Sequence, residues 1–243
     1  MNPFLVEMLV RDGVAAVTPG PAEFAQWDRF LEWMAGNGVG IVSTNVTAPA
    51  ASPLAAGGEP PAAAGAARAA VERSLIVDVA GVRVGLLGVI GEEAFAKIPA
   101  VDAARFTRVE ARQAVEEALP ALRARCDLVV LLACTGDDEA EALARELPGV
   151  QVVLNGYESI ASTYPYLCGT TLVNRSGSRG QYLGVTRLIL GPDNRVLDWG
   201  GRNLALQLTY PEEPDVAARV AELTAQLEGR PAGTPPGQTE SCH

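Results

Sequence analysis

The side chains able to carry out chemistry are few and unevenly placed. The chain of 243 residues has one histidine, His243, and it is the last residue. Any mechanism that needs imidazole as ligand, base or acid therefore has almost nothing to draw on. The four cysteines, Cys126, Cys134, Cys168 and Cys242, form no Cys-x-x-Cys pair, so neither a disulfide scaffold nor a zinc-ligand spacing is present. They read as free thiols packing like small hydrophobes. Carboxylates gather at Asp137-Asp138-Glu139, a run suited to magnesium or, more simply, to the positive end of a helix dipole. The stretch "SGSRGQYLG" (176–184) follows Arg175 and contains Arg179. It reads as a structural turn, with phosphate cradling by backbone N–H groups as the rival, and the two arginines are candidates for an anion. The ending "TESCH" shares only its last two residues with a Cys-x-x-Cys-His haem attachment site, because Thr239 stands at the first cysteine position.

The elements that must position these groups alternate strand and helix. Apolar, β-branched runs predict strands at Val14–Val17, Gly38–Asn45, Leu75–Val79, Val82–Val89, Leu128–Ala133, Val150–Leu154, Thr171–Asn174, Leu183–Leu190 and Val196–Trp199. "LVVLLA" and "VQVVL" are nearly all apolar, as strands covered on both faces must be. "RSLIVDVAGVRVGLLGVI" reads as a hairpin turning at Ala80-Gly81. An amphipathic N-terminal helix is predicted with Phe4, Leu5, Met8 and Leu9 on one face. A second helix, "PAEFAQWDRFLEWMAGNG", aligns Phe24, Trp27, Phe30, Leu31 and Met34 and stops at glycine. A third opens with Thr107 and Glu110 in capping-box spacing and runs to about Arg125, with a kink expected at Pro120. Asp137–Glu146 and Pro214–Leu227 complete the set.

Composition sets the outer limits. With 48% apolar residues the chain can build one sizeable α/β core. A formal net charge of −10 argues against nucleic acid as a partner, and no apolar run reaches the ~18 residues a bilayer span needs. We expect one domain over 1–210, a helix over 211–228 and a disordered tail over 229–243. An Ala/Pro/Gly-rich insertion over 48–68 is expected as a surface loop. "MNPFLVEMLVRDG" lacks the features of a signal peptide. This implies a cytoplasmic protein if Met1 is the true start, and a periplasmic one if a signal-bearing precursor has been truncated.

The order of pieces resembles the catalytic domain of the calcineurin-like metallophosphoesterases, in particular the 5′-nucleotidase branch. That branch reads roughly "DAVTLGNHEFD", a helix, then "VLSANV"; this chain has "AAVTPGPAEFA", a helix, then "IVSTNV". "GLLGVIG" follows, similar to "GFIGLTT", and "CDLVVLLACTGDDEAEALARELPGVQVVLNGYES" stands where the family has a strand ending in His-x-Gly and then "VPGVDVILGGHSH". "GTTLVNRSGSRGQYLGVTRLIL" resembles "GTLIVQAGSYGRYLGRLDL". The resemblance covers about residues 5 to 200. It implies an α/β fold, an αββα sandwich of two mixed sheets flanked by helices, with the site in loops at the strand ends and the family's first strand motif lacking.

The resemblance also implies a centre of two divalent metals, about 3.5–4 Å apart, that makes a hydroxide and clamps a phosphate. Position by position, the ligands are missing. The metal-bridging Asn of Gly-Asn-His-Glu falls on Pro21, the catalytic His on Ala22 and its orienting Asp on Ala25. The His of His-x-Gly falls on Cys134, and the two imidazoles of Gly-His-Ser-His fall on Tyr157 and Ser159. The opening Asp-x-His and the following Gly-Asp have no counterpart. Glycines and scaffold residues persist, among them Gly20, Glu23, Asn45, Gly136, Gly156 and Gly184. The expectation is therefore a pseudoenzyme with no catalytic residue, no cofactor and no metal, serving as a binding or structural module for a protein partner or larger complex. Glu23, Asn45, Glu158, Arg175 and Arg179 are the candidates for a residual pocket. Cys134, Tyr157, Glu158 and Ser159 are expected close together, as a refilled pocket or, alternatively, as a soft-metal or thiol site. The rival is an active phosphoesterase using Mn or Zn, completed by an upstream segment or another subunit. A redox or haem-associated accessory protein is a third reading.

Overall fold

The computed structural model describes residues 3–48, 69–157, 160–192, 194–207 and 209–228. The expected tail, 229–243, and all but the first residue of the 48–68 insertion lie outside the described residues. The chain divides into two units, Met1–Ala205 and Leu206–His243.

The first unit begins with α1 (Pro3–Arg11), β1 (Ala16–Val17), α2 (Pro21–Ala25), α3 (Trp27–Met34), β2 (Gly40–Val42), β3 (Val46–Thr47) and β4 (Val71–Glu72). There follow β5 (Leu75–Val79), β6 (Val82–Ile90), α4 (Glu92–Ala96), α5 (Ala100–Ala103), β7 (Thr107–Arg108) and α6 (Ala111–Arg123). The unit closes with β8 (Leu128–Cys134), α7 (Asp137–Glu146), β9 (Val152–Asn155), β10 (Tyr166–Cys168), β11 (Thr171–Arg175), β12 (Tyr182–Leu190) and β13 (Val196–Ala205). The described part of the second unit holds α8 (Pro214–Leu227). No helix among the described residues is long and apolar enough to cross a membrane.

The central sheet has six strands in the order β10-β11-β9-β8-β6-β5. Its inner four are parallel and its two edges antiparallel. Burial explains the parallel core: Leu87, Val89, Val129, Leu131 and Val153 are all at most 1% exposed, and strands covered on both faces need apolar runs without alternation. Val115, Leu119 and Leu122 of α6 and Ala140, Leu143 and Ala144 of α7 close one core against them. A three-stranded parallel sheet, β1-β2-β4, and two antiparallel pairs, the long β12-β13 and the short β3-β7, complete the strands. The molecule is thus a mixed α/β fold of several sheets flanked by helices.

A second core gathers the aromatics of α2 and α3. Phe24 stacks on Trp27 with ring centroids 5.2 Å apart, and Phe106 meets both edge-on. The β5–β6 hairpin turns where expected, with Ala80 and Gly81 both at positive φ, 54° and 86°, the conformation that glycine tolerates without strain.

Local differences from the sequence reading have identifiable causes. The single helix expected over 21–34 is two, because Gln26 leaves helical geometry. In α1 the buried residue is Val6, while Leu5 is 47% exposed. The strand expected over Gly38–Asn45 is only Gly40–Val42, since the side chains of Ser43, Thr44 and Asn45 take up backbone groups instead. Thr107 does not cap α6; it belongs to β7, paired with β3, and Glu110 caps the helix by accepting from the N–H groups of Arg112 and Gln113. Pro120 lies inside α6. β13 runs on from Trp199 to Ala205, and the short β4, β7 and β10 carry too little pattern to be read from sequence.

Candidate functional site

The four parallel strands end together. Register aligns Ile90 with Cys134, Ala133 with Asn155, and Asn155 with Arg175. These residues terminate β6, β8, β9 and β11, so the loops that follow share one edge, where α/β sheets place their ligands. Cys134 and Arg175 end strands at this edge, Asn45 bonds to Ile90 there, Gly20 lies against Cys134, and Phe24 and Tyr157 belong to the aromatic core beside it.

Gly20 opens α2, and its N–H donates to Glu23 Oε2 at 3.1 Å. Cys134 Sγ lies against Gly20: a Cβ there would sit 3.5 Å from the sulfur and 3.3 Å from Glu23 Oε2. Cys134 packs on the aromatic core, and Tyr157 is one of that core's buried members at 9% exposed. Burial pushes the Cys134 thiol up to about 12, and the nearby Glu23 carboxylate adds to the effect. A thiol held protonated in this way is a poor nucleophile. Pro21 and Ala22 belong to the same short helix and offer no side-chain donor or acceptor, and neither does Ala25.

Asn45, 2% exposed, is fully engaged as a strut. Its Nδ2 donates to the carbonyls of Ile90 (2.8 Å) and Val109 (3.2 Å), and its Oδ1 accepts from the Ile90 N–H at 3.0 Å. It ties the β2–β3 turn to the end of β6, with both side-chain donors spent on backbone carbonyls.

Arg175 is neutralised within the fold. Its Nη1 lies 2.8 Å from Asp137 Oδ2, and its guanidinium sits over the Tyr166 ring, 5.2 Å from the centroid. The Tyr166 hydroxyl in turn donates to Glu141 Oε1 at 2.9 Å. Asp137 Oδ1 accepts from Asn155 Nδ2 (3.2 Å), and Asn155 Oδ1 accepts from the Thr135 N–H (3.3 Å). Sequence reasoning missed this chain of contacts. The available signal was a polar residue, Asn155, closing an all-apolar run. Arg179 is exposed at φ 60° in the turn before β12. In the 137–139 run, Asp137 holds Arg175 and all three acids lie in the first turn of α7. Burial pushes the Glu139 carboxyl up. Glu158 and Ser159 lie outside the described residues.

A two-metal centre does not fit this donor set. Among the described residues, no group of three or more His, Cys, Asp or Glu side chains could hold a metal ion. Of the positions where the resemblance puts the family's metal-site residues, the described ones carry proline, alanine, a partly buried thiol and a phenol set in an apolar core.

No protein-family profile and no curated protein matches the chain. Solved structures do. Sulfate thiohydrolase SoxB of Thermus thermophilus, in complex with glycerol, superposes with a TM-score of 0.74 at 20% identity over 93% of this chain and 39% of its own. A 5′-nucleotidase precursor, also from Thermus thermophilus, gives 0.73 at 20% identity, over 93% and 45%. The calcineurin-like phosphoesterase YfkN of Bacillus subtilis gives 0.65 at 18% identity, over 92% and 73%. The chain spans less than half the length of the first two of these structures. It carries the fold found in 5′-nucleotidases and calcineurin-like phosphoesterases.

Proposed function

We propose that this chain is a catalytically silent domain of metallophosphoesterase-like fold that serves as a binding or structural module. One observation carries the reading. At the strand-end edge, the side chains in ligand positions belong to the aromatic core: Cys134 and Tyr157 pack with Phe24, Trp27 and Ile90. A phosphoesterase of this fold needs charged groups there to grip cations and activate water. Among the described residues, Cys134 and Tyr157 make apolar contact there instead, which supports the fold rather than a cation site. The surviving polar groups serve structure, Glu23 on a helix start, Asn45 across a turn, and Arg175 in an ion pair.

Purified protein is expected to carry no stoichiometric divalent metal by elemental analysis. It is also expected to release no phosphate from nucleotides or aryl phosphates when Mn²⁺ or Zn²⁺ is supplied. Turnover that a chelator abolishes and added metal restores would reject the proposal.

A further inference from the structure

Glycine follows two of the chain's asparagines, Asn37 and Asn155. That step has a chemistry of its own. With no Cβ to shield it, a glycine nitrogen can reach the preceding Asn Cγ and expel the side-chain amide. The two Asn-Gly steps are covalently identical, and the fold treats them differently.

Asn155 ends β9 and is 2% exposed. Its Oδ1 accepts from the Thr135 N–H and its Nδ2 donates to Asp137 Oδ1. The attacking nitrogen is engaged as well, since the Gly156 N–H donates to Ala133 O at 3.0 Å. All of these bonds must break before a ring can close, and at a buried strand end that takes local unfolding. Asn37 lies in the exposed turn after α3, between Gly36 and Gly38. Those glycines stand at φ 75° and 76°, and a Cβ on either would meet nothing within 4 Å, so a ring has room to form. Among the described residues, no hydrogen bond holds the Gly38 N–H. One exposed bond restrains the Asn37 side chain, from Nδ2 to Trp33 O at 2.6 Å, and it sits at a helix end, where fraying is common.

We propose that Asn37 is a site of spontaneous deamidation in the folded chain, which places a new carboxylate at the end of α3, while the fold protects Asn155. The Gly38 nitrogen gives up its proton and bonds to Asn37 Cγ. The Cγ–Nδ2 bond then breaks, and Nδ2 leaves as ammonia, taking up the proton. Water opens the resulting succinimide at either carbonyl and leaves aspartate or isoaspartate at position 37. The product suits its surroundings less well than the amide did. A donor to Trp33 O becomes a carboxylate beside it, at the negative pole of the helix dipole. α3 carries Trp27, Phe30, Leu31 and Met34 into the aromatic core, so the repulsion falls on an element that anchors that core.

Peptide mapping by mass spectrometry tests the proposal on the full chain, incubated in mildly alkaline buffer with and without denaturing urea. In urea both Asn-Gly steps should convert, because the unfolded chain protects neither. In the native chain Asn37 should convert to a mixture of aspartate and isoaspartate while Asn155 keeps its amide. Asn37→Asp, which installs the charge directly, should unfold at a lower temperature than the wild type. An amide retained at position 37 in the native chain, equal conversion at 155, or an Asn37→Asp midpoint no lower than that of the wild type would overturn it.

Discussion

Cys134 and Asn45 occupy ligand-like places at the strand-end edge and behave as structure, and each has a distinguishing experiment. The Cys134 thiol is raised to about 12 by burial and by the Glu23 carboxylate. The folded chain therefore keeps a proton that the unfolded chain releases near the ordinary thiol value of about 8.5. The contribution to stability is complete below that value and is lost as pH rises through the folded one. Urea midpoints of wild type and Cys134→Ala at rising pH should converge, the wild type losing more, and Cys134 should resist Ellman's reagent in the native state at pH ~8. For Asn45→Ala, the buried backbone groups of Ile90 and Val109 lose their partner, at a cost of about 2–4 kcal/mol in chemical denaturation. Asn45→Asp should be at least as damaging, because a carboxylate would face the Ile90 and Val109 carbonyls, whereas a metal ligand would tolerate the change. The resemblance names candidate positions residue by residue because it aligns side chains. The Asp137–Arg175 pair was not legible, since it joins the start of α7 to the end of β11, which only the fold brings together.

At the scale of elements, the packing of β6 against its neighbours is the most exposed to test. A Cβ on Gly88 would collide with the Val42 carbonyl and with Thr18 Oγ1, and Thr18 itself donates to that carbonyl. Backbone cannot step aside as a side chain can, so Gly88→Ala should cost about 1–3 kcal/mol or more. Gly85, three residues earlier, faces the Leu122 side chain and Cys126 Sγ. Gly85→Ala should be the milder of the two in the same thermal or urea unfolding series; the reverse order would show that the two strands approach differently. Long elements with a strong period were readable, β6, β8, α6 and α7 among them, because burial on one or both faces writes the pattern. The break at Gln26, the cap at Glu110 rather than Thr107, and the two-residue strands β4 and β7 were not. The first two are set by local contacts, Gln26 N–H to Glu23 O and the Glu110 carboxylate to the Arg112 and Gln113 N–H groups, and the two strands by pairing with distant segments; none leaves a periodic trace.

For the molecule as a whole, stability of the strand-end loops depends on what replaces charge as their glue. If a site for divalent cations were present, metal would stabilise the native state by mass action, about 4 kcal/mol at a thousandfold excess over the dissociation constant. In a domain of this size that corresponds to a rise in Tm of roughly 8–16 °C. If the apolar cluster of Phe24, Trp27, Tyr157 and Cys134 holds those loops instead, added cations have no native-state site to occupy. Thermal unfolding with millimolar Mn²⁺ and with chelator should then give the same midpoint. Phe24, fully buried and in ring contact with Trp27, Phe95 and Phe106, should by contrast be indispensable: Phe24→Ala is expected to lower stability by about 3–5 kcal/mol. A Mn²⁺-dependent rise in Tm together with a tolerant Phe24 would mean that the loops are organised by a cation after all, and that the apolar cluster is incidental to the fold.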